Sequence, residues 1–271
     1  MEKIFFISGF PRSGNTLLSS ILSQNPKICT TGHSYVPDIT YNLESIRYTS
    51  AAFKNFPVEQ GLENILRSVF SNFYQDVEEE FLIERGDWIT PFNFSSLLKY
   101  CPNEIKIVIL VRDILDIIRS YLKICDTYPD FYLNKIYNSI DKTTLYQSEM
   151  SVKADLIMER EGYVDSILYS INYLIKNNYL NCVKFIEYNN LINDTNNTLK
   201  EIYEFYEIDS YKHNYNLLNQ LSYKNIRYND SVLGAPIHEI ITNCVENQEN
   251  NIKLEDSIVR KYQDLEIWRK I

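Results

Sequence analysis

Residues 9–17, Gly-Phe-Pro-Arg-Ser-Gly-Asn-Thr-Leu, have the glycine spacing of a phosphate-binding loop but not its lysine. A nucleoside triphosphatase carries Gly, four residues, Gly, Lys and Ser or Thr, and that lysine spans the β- and γ-phosphates. Here Asn15 stands at the lysine position and a cation comes early, as Arg12. Gly9 and Gly14 let the backbone turn so that successive N–H groups point inward, and a helix starting near Asn15 adds its partial positive charge. Such a nest suits a single tetrahedral anion, with Arg12 and the hydroxyls of Ser13 and Thr16 beside it. A plain turn joining a strand to a helix would share the glycines but has no need of a guanidinium. Without the lysine, ATP or GTP hydrolysis is not expected.

A second constellation lies in residues 111–122. Arg112 closes the apolar run 105–111, and Ser120 follows eight residues later, about two turns along the next helical pattern. At one strand end the two would form a phosphate clamp; the competing reading pairs Arg112 with Asp113 or Asp116 and leaves Ser120 incidental. For proton transfer the candidates are His33, read in a loop soon after the first helix, and Glu84, which ends the apolar run 81–83. Imidazole suits proton transfer near neutral pH, and the chain has three His. The plainer readings are a packing or surface role for His33 and an ion pair with Arg85 for Glu84.

The elements that must position these residues are visible as periodicity. Residues 4–7, 105–111 and 183–186 are short, continuous, β-rich apolar runs, as strands buried on both faces of a parallel sheet should be. Helical spacing follows the first loop and recurs over 60–76, 163–176 and 195–207. The alternation predicts a doubly wound α/β domain, in which ligands sit beyond the carboxyl ends of the strands, where Gly9–Thr16 and Arg112 would lie. Residues 125–160 and 223–253 have weak periodicity and read as long loops or short helices over that edge.

Bulk properties narrow the partners. A net charge of −9 over 271 residues argues against general nucleic-acid binding, which needs a surplus of Lys and Arg. The five cysteines are odd in number and widely spaced, which suggests neither a disulfide framework nor a zinc site. No apolar stretch reaches the ~18 residues of a membrane span and no signal peptide is apparent, so a cytoplasmic protein is expected.

Together the two anion-binding segments resemble the sulfotransferase family, whose members use 3′-phosphoadenosine 5′-phosphosulfate (PAPS). The family's 5′-phosphosulfate loop commonly reads Pro-(Lys/Arg)-Ser-Gly-(Thr/Asn)-(Thr/Ser)-Leu, matched by Pro11, Arg12, Ser13, Gly14, Asn15, Thr16 and Leu17. Arginine in place of lysine is similar to the tyrosylprotein branch and to many bacterial members. The family's 3′-phosphate element, an Arg at a strand end with a Ser eight residues on, is matched by Arg112 and Ser120. Residues 186–208, 230–240 and 260–269 resemble further family segments, so the likeness touches most of the chain. Two departures stand out. Bacterial members often end this C-terminal segment with His-x-Val-Arg, whereas His238 is followed by Glu239-Ile240-Ile241 without a cation. The segment before Trp88 often carries Lys or Arg after an Asp, and here it reads Glu84-Arg85-Gly86-Asp87.

The resemblance implies one sulfotransferase domain over residues 1–271, a P-loop-type three-layer αβα fold with a central parallel sheet. It implies PAPS as co-substrate, adenosine 3′,5′-bisphosphate as product, no metal, and a small-molecule or glycan acceptor offering a hydroxyl or amine. Arg12 would bridge the leaving phosphate and the sulfonate, the loop N–H groups and Thr16 would hold the 5′-phosphate, and Arg112 with Ser120 the 3′-phosphate. His33, close to where the tyrosylprotein branch carries an acidic base after a similarly placed glycine, leads as base, with Glu84 as competitor. A small-molecule kinase or a non-catalytic nucleotide-binding protein on the same scaffold is the alternative.

Overall fold

Every second residue of β1 (Lys3–Gly9) belongs to a different core. Ile4 and Phe6 join one hydrophobic cluster, Phe5 and Ile7 the other, because side chains along a strand alternate between faces. The structure is a computed structural model and describes residues 3–141, 146–159, 163–240, 244–245 and 250–271. From β1 the chain passes through the glycine loop into α1 (Asn15–Leu22) and β2 (Ile28–His33). Helices α2 (Val36–Thr49), α3 (Ala51–Asn55) and α4 (Glu59–Phe73) precede β3 (Phe81–Arg85), and α5 (Pro91–Tyr100) precedes β4 (Ile107–Val111). Then come α6 (Ile114–Thr127), α7 (Tyr132–Ser139), α8 (Glu149–Met158) and α9 (Val164–Lys176). β5 (Val183–Glu187) leads into α10 (Tyr188–Asn193) and α11 (Thr195–Tyr206). A short antiparallel hairpin, β6 (Ser222–Tyr223) and β7 (Ile226–Arg227), and α12 (Asp256–Tyr262) follow.

The central sheet is parallel, in the order β2-β3-β1-β4-β5. β1 sits in the middle, and the chain winds first to the β2/β3 side and then to the β4/β5 side. The switch falls between β1 and β4, and a crevice opens beyond their carboxyl ends. Leu18, Ile21 and Leu22 of α1 and Leu199, Ile202 and Tyr206 of α11 cover one face; Phe70 of α4, Phe94 of α5 and Ile117 of α6 cover the other. Helices on both faces make three layers, and β4, sandwiched between them, is buried along its whole length. This is the expected α/β architecture.

Residues 28–33 (Ile-Cys-Thr-Thr-Gly-His) form an edge strand, β2, which includes His33, expected in a loop. An edge strand needs fewer apolar residues than a central one, and Thr and Gly mask it; its pairing with β3 is irregular between Thr30 and His33. His33 therefore ends a strand. Residues 125–160 resolve into the end of α6 and the short helices α7 and α8, with 142–145 and 160 outside the described residues. The stretch 223–253 is largely irregular after β7, with 241–243 and 246–249 outside them. Among the described residues no helix is long and apolar enough to cross a membrane.

Gly9 fixes how the loop meets the sheet. Its φ is +139°, and a Cβ there would lie 2.2 Å from the Leu110 carbonyl oxygen, which also accepts the Phe10 N–H at 3.0 Å. Gly9→Ala is expected to destabilise the protein by about 3 kcal/mol or more, from backbone strain plus the clash with a β4 carbonyl that cannot move. Urea unfolding checks this; a loss under about 1 kcal/mol would mean the loop can lift off β4 at little cost.

Candidate active site

The loop between β1 and α1 is held open from inside. Phe10 O accepts the Ser13 hydroxyl at 2.6 Å and the Asn15 side-chain amide at 2.8 Å, and Ser13 also reaches Leu110 O at 3.2 Å. Arg12 at φ +62° and Gly14 at φ +89° complete the turn. The expected contact of the Ser13 hydroxyl with an anion is thereby corrected: Ser13 is fully buried and its O–H is spent on backbone carbonyls. Asn15, at the lysine position, likewise braces the loop. Among the described residues no side chain caps α1, so the amides of its first turn are available to an anion, and Gly14, Asn15, Thr16 and Leu17 line a cavity of about 910 Å³.

Three arginines converge on that cavity. Arg12 donates from Nε to Ser120 Oγ at 3.2 Å and from Nη1 to Ile237 O at 2.7 Å. Arg112 donates from Nη1 to Arg12 O at 2.8 Å, its guanidinium lies 4.2 Å from the Tyr188 ring centre, and its buried Nε has no partner among the described residues. The Arg112–Asp ion pair weighed from the sequence is absent among the described residues: Asp113 caps α6 through the Asp116 N–H at 3.2 Å, and Asp116 pairs with Arg119 at 2.7 Å. Ser120 does face back to the strand end, where it meets Arg12. Arg85 is the cation that sequence reasoning missed. It ends β3 opposite Ile7 of β1 and donates from Nη1 to Thr16 Oγ1 at 2.8 Å and to Tyr228 OH at 3.1 Å. Its strand-end position after an apolar run was the available signal.

Burial lowers the pKa of both Arg12 and Arg112 from the usual guanidinium value. Desolvating two neighbouring cations is unfavourable, and a bound anion would offset it. The partnerless Arg112 Nε, the uncapped α1 amides and the three guanidinium groups form a donor set suited to phosphate or sulfate oxygens.

The acid–base groups divide between cavity and core. His33 and Asp87 line the cavity with Nε2 and Oδ2 3.6 Å apart, and the His33 side chain is 44% exposed. His238 lines it from the segment after β7, with Asp230 against its ring at 2.7 Å. Glu84 does not reach it. Period-two alternation turns Glu84 with Leu82 into the core, where its fully buried carboxyl accepts from Tyr74 OH at 3.1 Å and from the Trp88 indole N–H. It forms no ion pair with Arg85, and the geometry gives it no access to an acceptor. Burial pushes its pKa up to about 7 against the hydrogen bonds from Ser34, Trp88 and Tyr74. Among the described residues no group of three His, Cys, Asp or Glu could hold a metal ion.

The sequence profile of the family described as "Sulfotransferase domain" matches residues 2–264. Among solved structures, the sulfotransferase domain of the olefin synthase from Synechococcus PCC 7002 is similar with a TM-score of 0.61 at 13% identity, covering 100% of this chain and 95% of that one. The sulfotransferase domain from the curacin biosynthetic pathway follows at 0.58 and 13%, covering 96% of both chains. A sulfotransferase from Alicyclobacillus acidocaldarius gives 0.51 and 12%, covering 96% of this chain and 89% of that one. At these identities the likeness is one of fold. No curated protein matches the chain.

Glu84 makes stability depend on pH. Its folded pKa lies above its unfolded value, so the native state keeps the proton longer, and stability is lost as pH rises from about 4.5 through about 7. The full loss is roughly 3 kcal/mol. Glu84→Gln should flatten this part of the profile in urea unfolding at pH 5 and pH 8. A variant with the wild-type pH dependence would show that Glu84 titrates normally.

Proposed function

The chain belongs to the sulfotransferase domain family, and from that premise we propose that it transfers a sulfuryl group from PAPS to a hydroxyl or amine of a small-molecule or glycan acceptor. The observation that carries this reading is the convergence of Arg12, Arg85 and Arg112 with uncapped helix amides in one cavity of a chain with net charge −9. The α1 amides and Thr16 suit the 5′-phosphate. Arg112, with its partnerless Nε, and Ser120 suit the 3′-phosphate. Arg12 lies between these two groups, bonded to Ser120 and giving its own carbonyl to Arg112, and suits the bridging oxygen. Arg85, bonded to Thr16, extends the same positive surface toward the sulfonate oxygens.

In the reaction a lone pair of the acceptor forms the new bond to sulfur while the bond from sulfur to the bridging oxygen breaks. Adenosine 3′,5′-bisphosphate leaves with that electron pair, and the acceptor's proton passes to a base. Negative charge develops on the bridging and equatorial oxygens, so fixed guanidinium groups stabilise the transition state without a redox or covalent step. Phosphoryl transfer is disfavoured by Asn15, whose amide is turned into the loop and cannot span a triphosphate. Tyr132, Tyr163, Ile167 and Leu233 add an aromatic and apolar wall suited to a small acceptor. Five widely spaced cysteines, odd in number and without a Cys-x-x-Cys pair, suit a cytoplasmic setting.

Arg112→Ala should weaken adenosine 3′,5′-bisphosphate by about 2–5 kcal/mol and leave adenosine 5′-phosphate nearly unchanged, because only the former carries the phosphate assigned to Arg112. Calorimetry with both nucleotides checks this. Equal losses would contradict a 3′-phosphate role.

A further inference from the structure

His238 lies in a stretch whose sequence gives no periodicity to place it, yet its ring is fixed on two sides. Asp230 holds it twice: Oδ1 lies 2.7 Å from the ring Nδ1, and Oδ2 accepts the His238 backbone N–H at 2.8 Å. The ring stacks on Tyr228, with centres 4.3 Å apart and planes 7° from parallel. The Tyr228 hydroxyl accepts from Arg85 at 3.1 Å and from the His33 backbone N–H. Position is thus transmitted from the cation on Thr16, through Tyr228, to the imidazole.

The segment that carries this pair is itself anchored. The Asp230 carbonyl accepts the N–H groups of Leu233 and Gly234, and Leu233 O accepts the Tyr132 N–H of α7 at 3.0 Å. Gly234, at φ +75°, presses so closely on Asp130 O that an added Cβ would lie 2.1 Å from it. From the other side, Arg12 donates to the carbonyl of Ile237, next to His238.

We propose that His238 is the base of the transfer reaction and that Asp230 is its positioning residue. This assignment rests on the sulfuryl-transfer reading above. An ionised carboxylate only accepts, so the proton of a neutral His238 ring sits on Nδ1 and Nε2 is left with its lone pair. As the new bond to sulfur forms, the acceptor's proton passes to Nε2, and Asp230 stabilises the imidazolium. His33 is held less firmly, since the Asp87 carboxylate stands 3.6 Å from its ring, beyond hydrogen-bond distance.

The groups facing His238 are Asp230 from its own segment, Tyr228 after β7, Arg85 from β3 and His33 from β2. Burial lowers its pKa, as do the charges of Arg85 and His33, while Asp230 raises it. The net shift is downward from the usual imidazole value, the direction that suits a base.

The test uses the full chain and three variants, His238→Gln, Asp230→Asn and His33→Gln. Three readouts apply: calorimetry with adenosine 3′,5′-bisphosphate, turnover of labelled PAPS with water as acceptor across pH 5–9, and nitrogen NMR of the imidazole tautomers. All four proteins should bind the bisphosphate within about threefold of one another. His238→Gln should slow turnover by ~10²–10⁴. Asp230→Asn should slow it by ~10–100, move the acid limb of kcat/KM to lower pH and disturb the His238 tautomer, which a merely structural role would not do. His33→Gln should slow turnover at least about tenfold less than His238→Gln does. Wild-type turnover in His238→Gln with nucleotide binding intact would overturn the assignment, as would an unchanged tautomer in Asp230→Asn. A wild-type protein that does not bind the bisphosphate would instead overturn the donor reading, and the base assignment with it.

Discussion

Gathering three guanidinium groups, one buried and two half-buried, at the carboxyl edge of a parallel sheet is the constraint on which the rest of this structure depends. Arg12, Arg85 and Arg112 come from the ends of β1, β3 and β4, and each is held by neutral oxygens: Ser120 and Ile237 O, Thr16 and Tyr228, and Arg12 O. Neutral partners orient a cation without cancelling its charge. The same arginines would be worth little to an anion if each were matched by a carboxylate, and the two acids that follow Arg112 are engaged elsewhere, Asp113 on the α6 cap and Asp116 with Arg119.

Such an arrangement needs a rigid scaffold, and the sheet supplies it. Alternation along β1 and β4 feeds two separate cores, so neither strand can shift register without moving apolar side chains from one core to the other. The glycine loop is pinned to this scaffold by Gly9 against Leu110 and braced by Ser13 and Asn15. Side chains that resemble ligand contacts in the sequence, Ser13 and Asn15, are thereby used to shape the backbone.

How much of this is legible in the sequence follows from how local each feature is. The loop and the Arg112–Ser120 spacing are contained in short segments, and β1, β4 and β5 are apolar runs, so the fold and the residues that meet at the candidate site beyond β1 and β4 are legible locally. β2 escapes because Thr and Gly dilute its pattern. Arg85 escapes because its partner Thr16 is 69 residues away and is fixed by the pairing of β1 with β3. Glu84 misleads because a strand end next to a site is also a strand position that can face inward, and only the register with Leu82 decides. Asp230 and His238 are eight residues apart in irregular chain, where spacing predicts no geometry.

The central claim is that this loop serves a single tetrahedral anion beside a 3′-phosphate and has no use for a triphosphate. Titrating the wild-type protein with adenosine 3′,5′-bisphosphate without added metal, and separately with ATP and Mg²⁺, tests it most directly. The account predicts that the bisphosphate binds at least about tenfold more tightly, a difference of roughly 1.4 kcal/mol or more. Tighter binding of ATP with Mg²⁺ would contradict it.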